Sequence, residues 1–184
     1  NIFGNDRLYE NVVRRELFTR PGDVFSYDAL ENSFRAIGNM GHFEPTTINP
    51  DVKPDPQNGT VDINWMLESK ASDQVELSAG WGQTGLIGRI ALKFTNFSMY
   101  NLFHKSDNYH NFLPQGDGQT FSISGQSNGK FYHSWSLSFM DPWLGGKRPN
   151  SFWVNMYYSK QSDISSNYYN SAYYNNMRNY YYGY

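Results

Sequence analysis

The sequence predicts an α+β domain of order β-α-α-β-β, followed by part of an antiparallel transmembrane β-barrel. Three observations predict it. Charge thins out near residue 73: residues 1–73 carry 7 Lys/Arg and 12 Asp/Glu, net -5, whereas residues 74–184 carry 8 Lys/Arg and 5 Asp/Glu, net +3. The hydrophobic pattern changes at the same place, from helical spacing to strict alternation. Aromatic residues make up 18% of the chain and charged residues 17%, yet mean hydropathy is -0.69. Rings interleaved with Ser, Asn, Gln and Gly make two-faced strands, as in a membrane-barrel wall. The expected division is a domain over 1–73 and barrel strands over 74–184, ending in a Tyr/Asn-rich loop.

In the first part, Tyr9, Val12, Val13, Glu16 and Leu17 share a helical face, with Asn5 or Asp6 as the candidate cap. Arg20-Pro21-Gly22-Asp23 ends that segment. A second helix is predicted from Ser26 as N-cap, with Leu30, Phe34 and Ile37 inward and Gly38 or Asn39 closing it. Phe43 to Ile48 reads as a strand. Asn49 to Gly59 contains Pro50, Pro54 and Pro56 and reads as a loop. Val61, Ile63, Trp65 and Leu67 alternate with Asp62, Asn64, Met66 and Glu68, which marks a half-buried strand. Ile2-Phe3 is the expected end of an earlier one. The predicted core is Val13, Leu17, Leu30, Phe34, Ile63 and Trp65.

The second part holds five alternating segments. Val75, Leu77, Ala79 and Trp81 form the first, and Gly82-Gln83-Thr84-Gly85 turns the chain. Leu86, Gly88, Ile90, Leu92 and Phe94 then oppose Arg89, Ala91, Lys93 and Thr95. After an irregular stretch, Phe121, Ile123 and Gly125 lead to the hairpin signal Asn128-Gly129. Trp135, Leu137 and Phe139 alternate with serines, and Phe152, Val154, Met156 and Tyr158 form the fifth segment. Each has about the length of a tilted membrane-crossing strand. Arg89 and Lys93 on a polar face suit a water-filled lumen. Trp81, Phe94, Phe97, Phe131, Phe139, Trp143 and Tyr158 near strand ends suit interfacial girdles. The smallest barrels need about 8 strands, and an open edge in lipid leaves backbone groups unpaired. The remaining strands must come from further sequence or from other copies of the chain; the expectation is a piece of a longer chain, in keeping with its start at Asn1-Ile2-Phe3.

Other classes find little support. The net charge of -2 and pI of 6.1 give no footprint for nucleic acid. Without cysteine there is no thiolate metal site or disulfide frame. His42, His104, His110 and His133 lack metal-ligand spacing, and no catalytic grouping or cofactor site stands out, so no enzyme is expected. Gly80-Trp81-Gly82-Gln83-Thr84-Gly85 matches a dinucleotide fingerprint in letters, but the next segment has a strand period rather than the helix that chemistry needs. Residues 167–184 hold 8 Tyr and 5 Asn, a low-complexity composition expected of a surface loop or a partner-binding patch.

The ordered motifs resemble the BamA family, central subunits of the bacterial outer-membrane protein assembly machinery (BAM complex), in its Bacteroidota form. In the first part the carriers are Gly4-Asn5-Asp6-Arg7, Val12-Val13-Arg14-Arg15-Glu16-Leu17, Pro21-Gly22-Asp23-Val24-Phe25 and Met40-Gly41-His42-Phe43. These are similar to the last POTRA domain, the one leading into the barrel. Glu76-Leu77-Ser78-Ala79-Gly80-Trp81-Gly82, Asn96-Phe97-Ser98, Asn101-Leu102-Phe103, Gly116-Asp117-Gly118-Gln119 and Asp141-Pro142-Trp143-Leu144-Gly145-Gly146 look like the first barrel strands and their periplasmic turns. The turn from Asn96 to Gly118 is longer than in proteobacterial relatives.

The resemblance implies a Gram-negative outer-membrane location with the N-terminal part in the periplasm. It implies unfolded outer-membrane proteins, accessory lipoproteins and outer-membrane lipid as partners, with no nucleic acid and no cofactor. It also implies that the backbone of the first barrel strand, Val75, Glu76, Leu77, Ser78, Ala79, Gly80, Trp81 and Gly82, is the edge that binds substrate. Gly80 and Gly82 would weaken the seam there, or simply serve a tight turn. A second edge is expected on the POTRA-like unit at Phe43 to Ile48 or at the front strand. Two alternatives carry other functions: a POTRA-barrel translocator that secretes a polypeptide through its pore, and a porin-like channel.

Overall fold

The computed structural model describes residues 1–82, 85–104, 113–129, 131–162, 178 and 180. The chain forms β1 (Ile2–Phe3), α1 (Glu10–Arg14), α2 (Tyr27–Met40), β2 (Asn49–Asp55) and β3 (Thr60–Met66). There follow β4 (Gln74–Gly82), β5 (Gly85–Phe97), α3 (Met99–Phe103), β6 (Gln119–Ser127), β7 (Tyr132–Asp141) and β8 (Phe152–Gln161). Of the sequence-based expectations, the turn residues Gln83 and Thr84, His110 and most of the Tyr/Asn-rich segment lie outside the described residues.

The first five elements have the predicted β-α-α-β-β order. They build a sheet of order β1-β3-β2, with β1 parallel and β2 antiparallel to β3. Both helices turn apolar faces to a core of Leu8, Val12, Val13, Leu17, Leu30, Ile37, Phe43, Ile48, Trp65 and Leu67. Trp65 is 1% exposed and is the largest side chain in it. Ile63 packs partly buried against the same cluster.

Several local expectations are corrected. α1 stops at Arg14, before Leu17, and its N-cap is Tyr9 rather than Asn5 or Asp6. Asn5 instead folds the approach, its side chain bonded to both the N–H and the C=O of Leu8. Ser26 does cap α2, accepting from the Ala29 N–H. The helix runs on to Met40 and is closed by Gly41 rather than by Gly38 or Asn39; the left-handed φ of 71° at Gly41 is a conformation glycine adopts without penalty. Phe34 is 39% exposed, so it is not a core residue. Ser33 takes the inward position at 0% exposure, its hydroxyl donating to the Ala29 carbonyl and accepting from the Phe18 N–H. A small hydroxyl there admits the chain after α1, which a phenyl ring would exclude.

The largest correction concerns the second strand. Phe43 to Ile48 is not a strand: only Phe43 bridges, to Ser69, and Thr47 lies in a turn. The proline-rich segment expected to be a loop is β2 itself, paired with β3 from Asn49↔Met66 to Asp55↔Thr60. Proline survives in a strand only where its missing N–H faces away from a partner, and β2 is an edge.

All five predicted alternating segments are strands, in a second sheet of order β4-β5-β6-β7-β8. The chain divides into two compact units. One comprises Asn1–Gln74, Lys93–Phe121 and Phe139–Val154; the other comprises Val75–Leu92, Ser122–Ser138 and Asn155–Tyr184. Within the second unit, hydroxyl contacts Ser122–Ser138 (2.6 Å) and Ser124–Ser136 (2.7 Å) and the Ser127–His133 contact (2.9 Å) fit one antiparallel register of β6 and β7. On the opposite face from the two serine pairs, Trp135 lies across Gly125, where a Cβ would come within 2.7 Å of the indole. One face of this hairpin thus carries the paired serines, while the other carries the Gly125–Trp135 contact and, nearer the turn, the Ser127–His133 pair.

Candidate functional site

The predicted edge residues, Val75, Glu76, Leu77, Ser78, Ala79, Gly80, Trp81 and Gly82, all lie in β4. Among the described residues β4 ends its sheet and pairs only with β5. Val75 to Trp81 are exposed throughout. β4 has no proline, so every position carries a backbone donor and an acceptor. A Cβ on Gly80 would meet nothing within 4 Å, so packing in this sheet does not require glycine there. Gly80-Trp81-Gly82 closes one strand and Gly85 opens the next. No helix follows to receive a pyrophosphate, so the dinucleotide reading has no structural basis.

The start of β4 is held by a polar network inside the first unit. Asp73, one residue before the strand, accepts from the Thr95 N–H at 3.0 Å, from Arg7 Nη2 at 3.3 Å and from Gln115 Nε2 at 3.4 Å. Ser72 and Thr95 share a hydroxyl contact. Asn96 is buried and acts as the hub: its Nδ2 donates to the Arg7 carbonyl at 2.6 Å, and its Oδ1 accepts from the N–H groups of Gly116 and Gly118. The Gly116 carbonyl in turn accepts from the Tyr9 N–H at 2.9 Å. At Gly116 a Cβ would come within 2.6 Å of the Tyr9 ring, and φ is 131°, so this turn requires glycine.

A second set of contacts ties α1 to the turn after β7. Trp143 Nε1 donates to Glu16 Oε1, and the Arg15 guanidinium lies 5.3 Å from the Trp143 ring centroid. Arg15 Nη2 donates to the Asp117 carbonyl at 3.2 Å. Burial lowers the Arg15 pKa while Glu16, Asp141 and Asp117 oppose the shift; the guanidinium stays charged and stacks on the indole. Asp117 accepts from the Ser98 hydroxyl, and Asp141 accepts from Gln119 Nε2 at 3.0 Å. The turn that follows β5 and the turn that follows β7 are therefore bound to the helical domain by directed, charge-assisted bonds. A cavity of about 610 Å³ lies beside them, lined by Arg15, Glu16, His42, Lys93, Thr95 and Met140 among others.

The described histidines each have separate local surroundings. His42 is 9% exposed, and its pKa is lowered by burial and by Arg7, against the pull of Asp73. His104 stacks on Tyr100 with ring centroids 4.4 Å apart, and His133 bonds Ser127. Among the described residues no three His, Asp or Glu side chains form a metal-holding group.

Sequence reasoning named the edge strand but not its anchors. Asp73 and Gln115 carry no local signal. Arg15 and Asn96 stood in the resembling motifs without an assigned role, whereas Glu16 was read only as part of a helical face and Trp143 only as a girdle ring. Their partners lie about 90 to 130 residues away, as in the Arg7–Asn96 and Glu16–Trp143 bonds.

Residues 1–68 match the POTRA family, described as a surface antigen variable number repeat. The chain is 30% identical over 148 residues to the outer membrane protein assembly factor BamA of Neisseria meningitidis serogroup B (strain ATCC BAA-335 / MC58), covering 78% of this chain. It is 31% identical over 108 residues, 58% of this chain, to the factor of the same name from Neorickettsia risticii (strain Illinois). Over most of its length the chain is thus similar to BamA proteins. A protein of Treponema pallidum (strain Nichols), provisionally named an outer membrane protein assembly factor, is 28% identical over 145 residues, 79% of this chain. The matched region spans only 16%, 14% and 16% of these three relatives respectively. The match with the POTRA family covers the β-α-α-β-β domain, and the BamA relatives extend the likeness beyond it.

Proposed function

We propose that this chain is the barrel-proximal part of an outer-membrane protein assembly factor, with residues 1–73 as a periplasmic POTRA domain and 74–184 as the first strands of the barrel. β4 serves as the template edge on which incoming strands pair. The observation that carries this reading is the position of β4: an edge strand of its sheet among the described residues, proline-free, exposed, and anchored at its start by Asp73. An unpaired strand in hydrocarbon leaves each N–H and C=O unsatisfied, at several kcal/mol per group. A free edge supplies those partners by β-augmentation and lowers the barrier without breaking a covalent bond.

The membrane part of the reading rests on exposed apolar side chains. Val75, Leu77, Trp81, Leu86, Ile90, Trp135, Phe152 and Met156 are each more than two-fifths exposed. In water so many would invite association; facing lipid they cost nothing. Arg89 and Lys93 belong to the other face of β5 and suit a lumen. Five strands do not close a barrel, so the wall is completed by further sequence. On this reading the clients are unfolded outer-membrane proteins, with accessory lipoproteins and outer-membrane lipid as the other partners.

The test is a disulfide between β4 and the last barrel strand of the full-length protein, made clean by the absence of cysteine in this region. Outer-membrane protein assembly should stop under oxidising conditions and recover with reductant. Val75→Pro or Leu77→Pro should impair assembly where that N–H points outward, whereas changes at Glu76 or Ser78 should be tolerated. Full activity with the cross-link quantitatively formed would overturn the template mechanism.

A further inference from the structure

We propose that the outer edge of β2 is barred to strand addition, and that Pro50 and Pro54 are the bar. The direction of the backbone groups follows from β3. Trp65 N–H donates to the Asn1 carbonyl at 2.8 Å, Leu67 N–H donates to the Phe3 carbonyl at 3.0 Å, and the Asn1 ammonium donates to the Ile63 carbonyl at 2.8 Å. Ile63 and Trp65 therefore turn their backbone groups toward β1 and away from β2, and Val61 has the same parity. Their partners across the ladder are Val52, Pro50 and Pro54 respectively. In an antiparallel pair, residues opposite one another either both point inward or both point outward. Pro50, Val52 and Pro54 thus line the outer edge.

That edge presents three carbonyls and a single N–H, that of Val52, because proline carries no donor. A strand laid along it would find partners for its own N–H groups but would leave two carbonyls unpaired. The edge of β4 has the full set, since Gln74 to Gly82 contains no proline. An extended chain that meets both edges therefore pairs with β4 and not with β2. The inference goes beyond the proposed function and borrows from it only the identity of the natural client, an unpaired strand. The same chemistry excludes any extended peptide from this face of the POTRA domain.

The experiment uses the purified full-length protein in lipid vesicles, with a photoreactive residue at Lys53 or at Ser78. Lys53 is exposed, so the probe at β2 does not disturb the core. The ligand is a synthetic eight-residue peptide of alternating Val and Thr. The expected result is no adduct at position 53 in the natural background and, in Pro50→Thr/Pro54→Thr, a rise on the order of tenfold or more from two restored hydrogen bonds. Circular dichroism checks that the double variant is folded, and Pro54→Thr alone, beside the hairpin tip, is the milder variant with a several-fold rise. Labelling at 53 in the natural background equal to that at 78 would overturn the proposal, as would a folded variant that gains no adduct. A lack of labelling at 78 would instead count against the template role of β4.

Discussion

Asp73 should govern whether β4 starts in its observed place. Replacing it with Ala removes three acceptor contacts: the Thr95 N–H at 3.0 Å, Arg7 Nη2 at 3.3 Å and Gln115 Nε2 at 3.4 Å. The Arg7 and Asp73 side chains are 29% and 27% exposed, so their ion pair is screened and contributes about 1 kcal/mol or less. The shorter bond from Thr95 to a carboxylate contributes about 1.5–3 kcal/mol, and the long Gln115 contact adds little. Asp73→Ala should therefore cost roughly 2–3 kcal/mol locally, against about 1 kcal/mol for Asp73→Asn, which keeps an acceptor for Thr95. Hydrogen exchange at the Thr95 amide reads the local loss, and assembly of a reporter outer-membrane protein reads its consequence. Unchanged protection of that amide in the Ala variant, or equal damage from Asn and Ala, would refute the assignment of Asp73 as an anchor.

Trp65→Ala should destabilise the first domain by ~3–5 kcal/mol, since the ring is 1% exposed; denaturant unfolding measures it, whereas Phe34→Ala should cost far less because that ring is 39% exposed. His42 has a folded-state pKa below its unfolded value of 6.5, so the unfolded chain binds the proton more readily. The stability that its neutral form contributes is full above about pH 6.5 and is lost as pH falls toward the folded value; thermal melts should show that slope, and His42→Gln should flatten it. Spin labels at Ile90 and Arg89 should separate the faces of β5, with position 90 quenched by a lipid-soluble reagent and position 89 by a water-soluble one. The reverse pattern would refute the lipid-facing register, in which a mid-depth cation would cost ~2–4 kcal/mol.

What could be read directly from the residues was whatever depends on near neighbours along the chain. Alternation located β3 and all five strands of the second sheet, because side chains in a strand switch faces at every step. Ser26 announced the start of α2, because its hydroxyl reaches an N–H only three residues on. The edge residues from Val75 to Gly82 were legible as a strand for the same reason. Elsewhere the outcome depended on contacts distant in sequence. Pro50 and Pro54 read as loop residues until the ladder with β3 turned their donor-less nitrogens outward. Phe34 and Ser33 adjoin on one helix, and the Phe18 N–H approaching Ser33 decided which faced in. Asn96, Asp73 and Trp143 acquired roles only when segments about 20 to 130 residues away arrived as partners. Periodicity specifies which face of an element is apolar, but the bonds that seat a domain on its neighbouring turns are set by tertiary packing, because a polar side chain carries no local mark of the distant group it will meet.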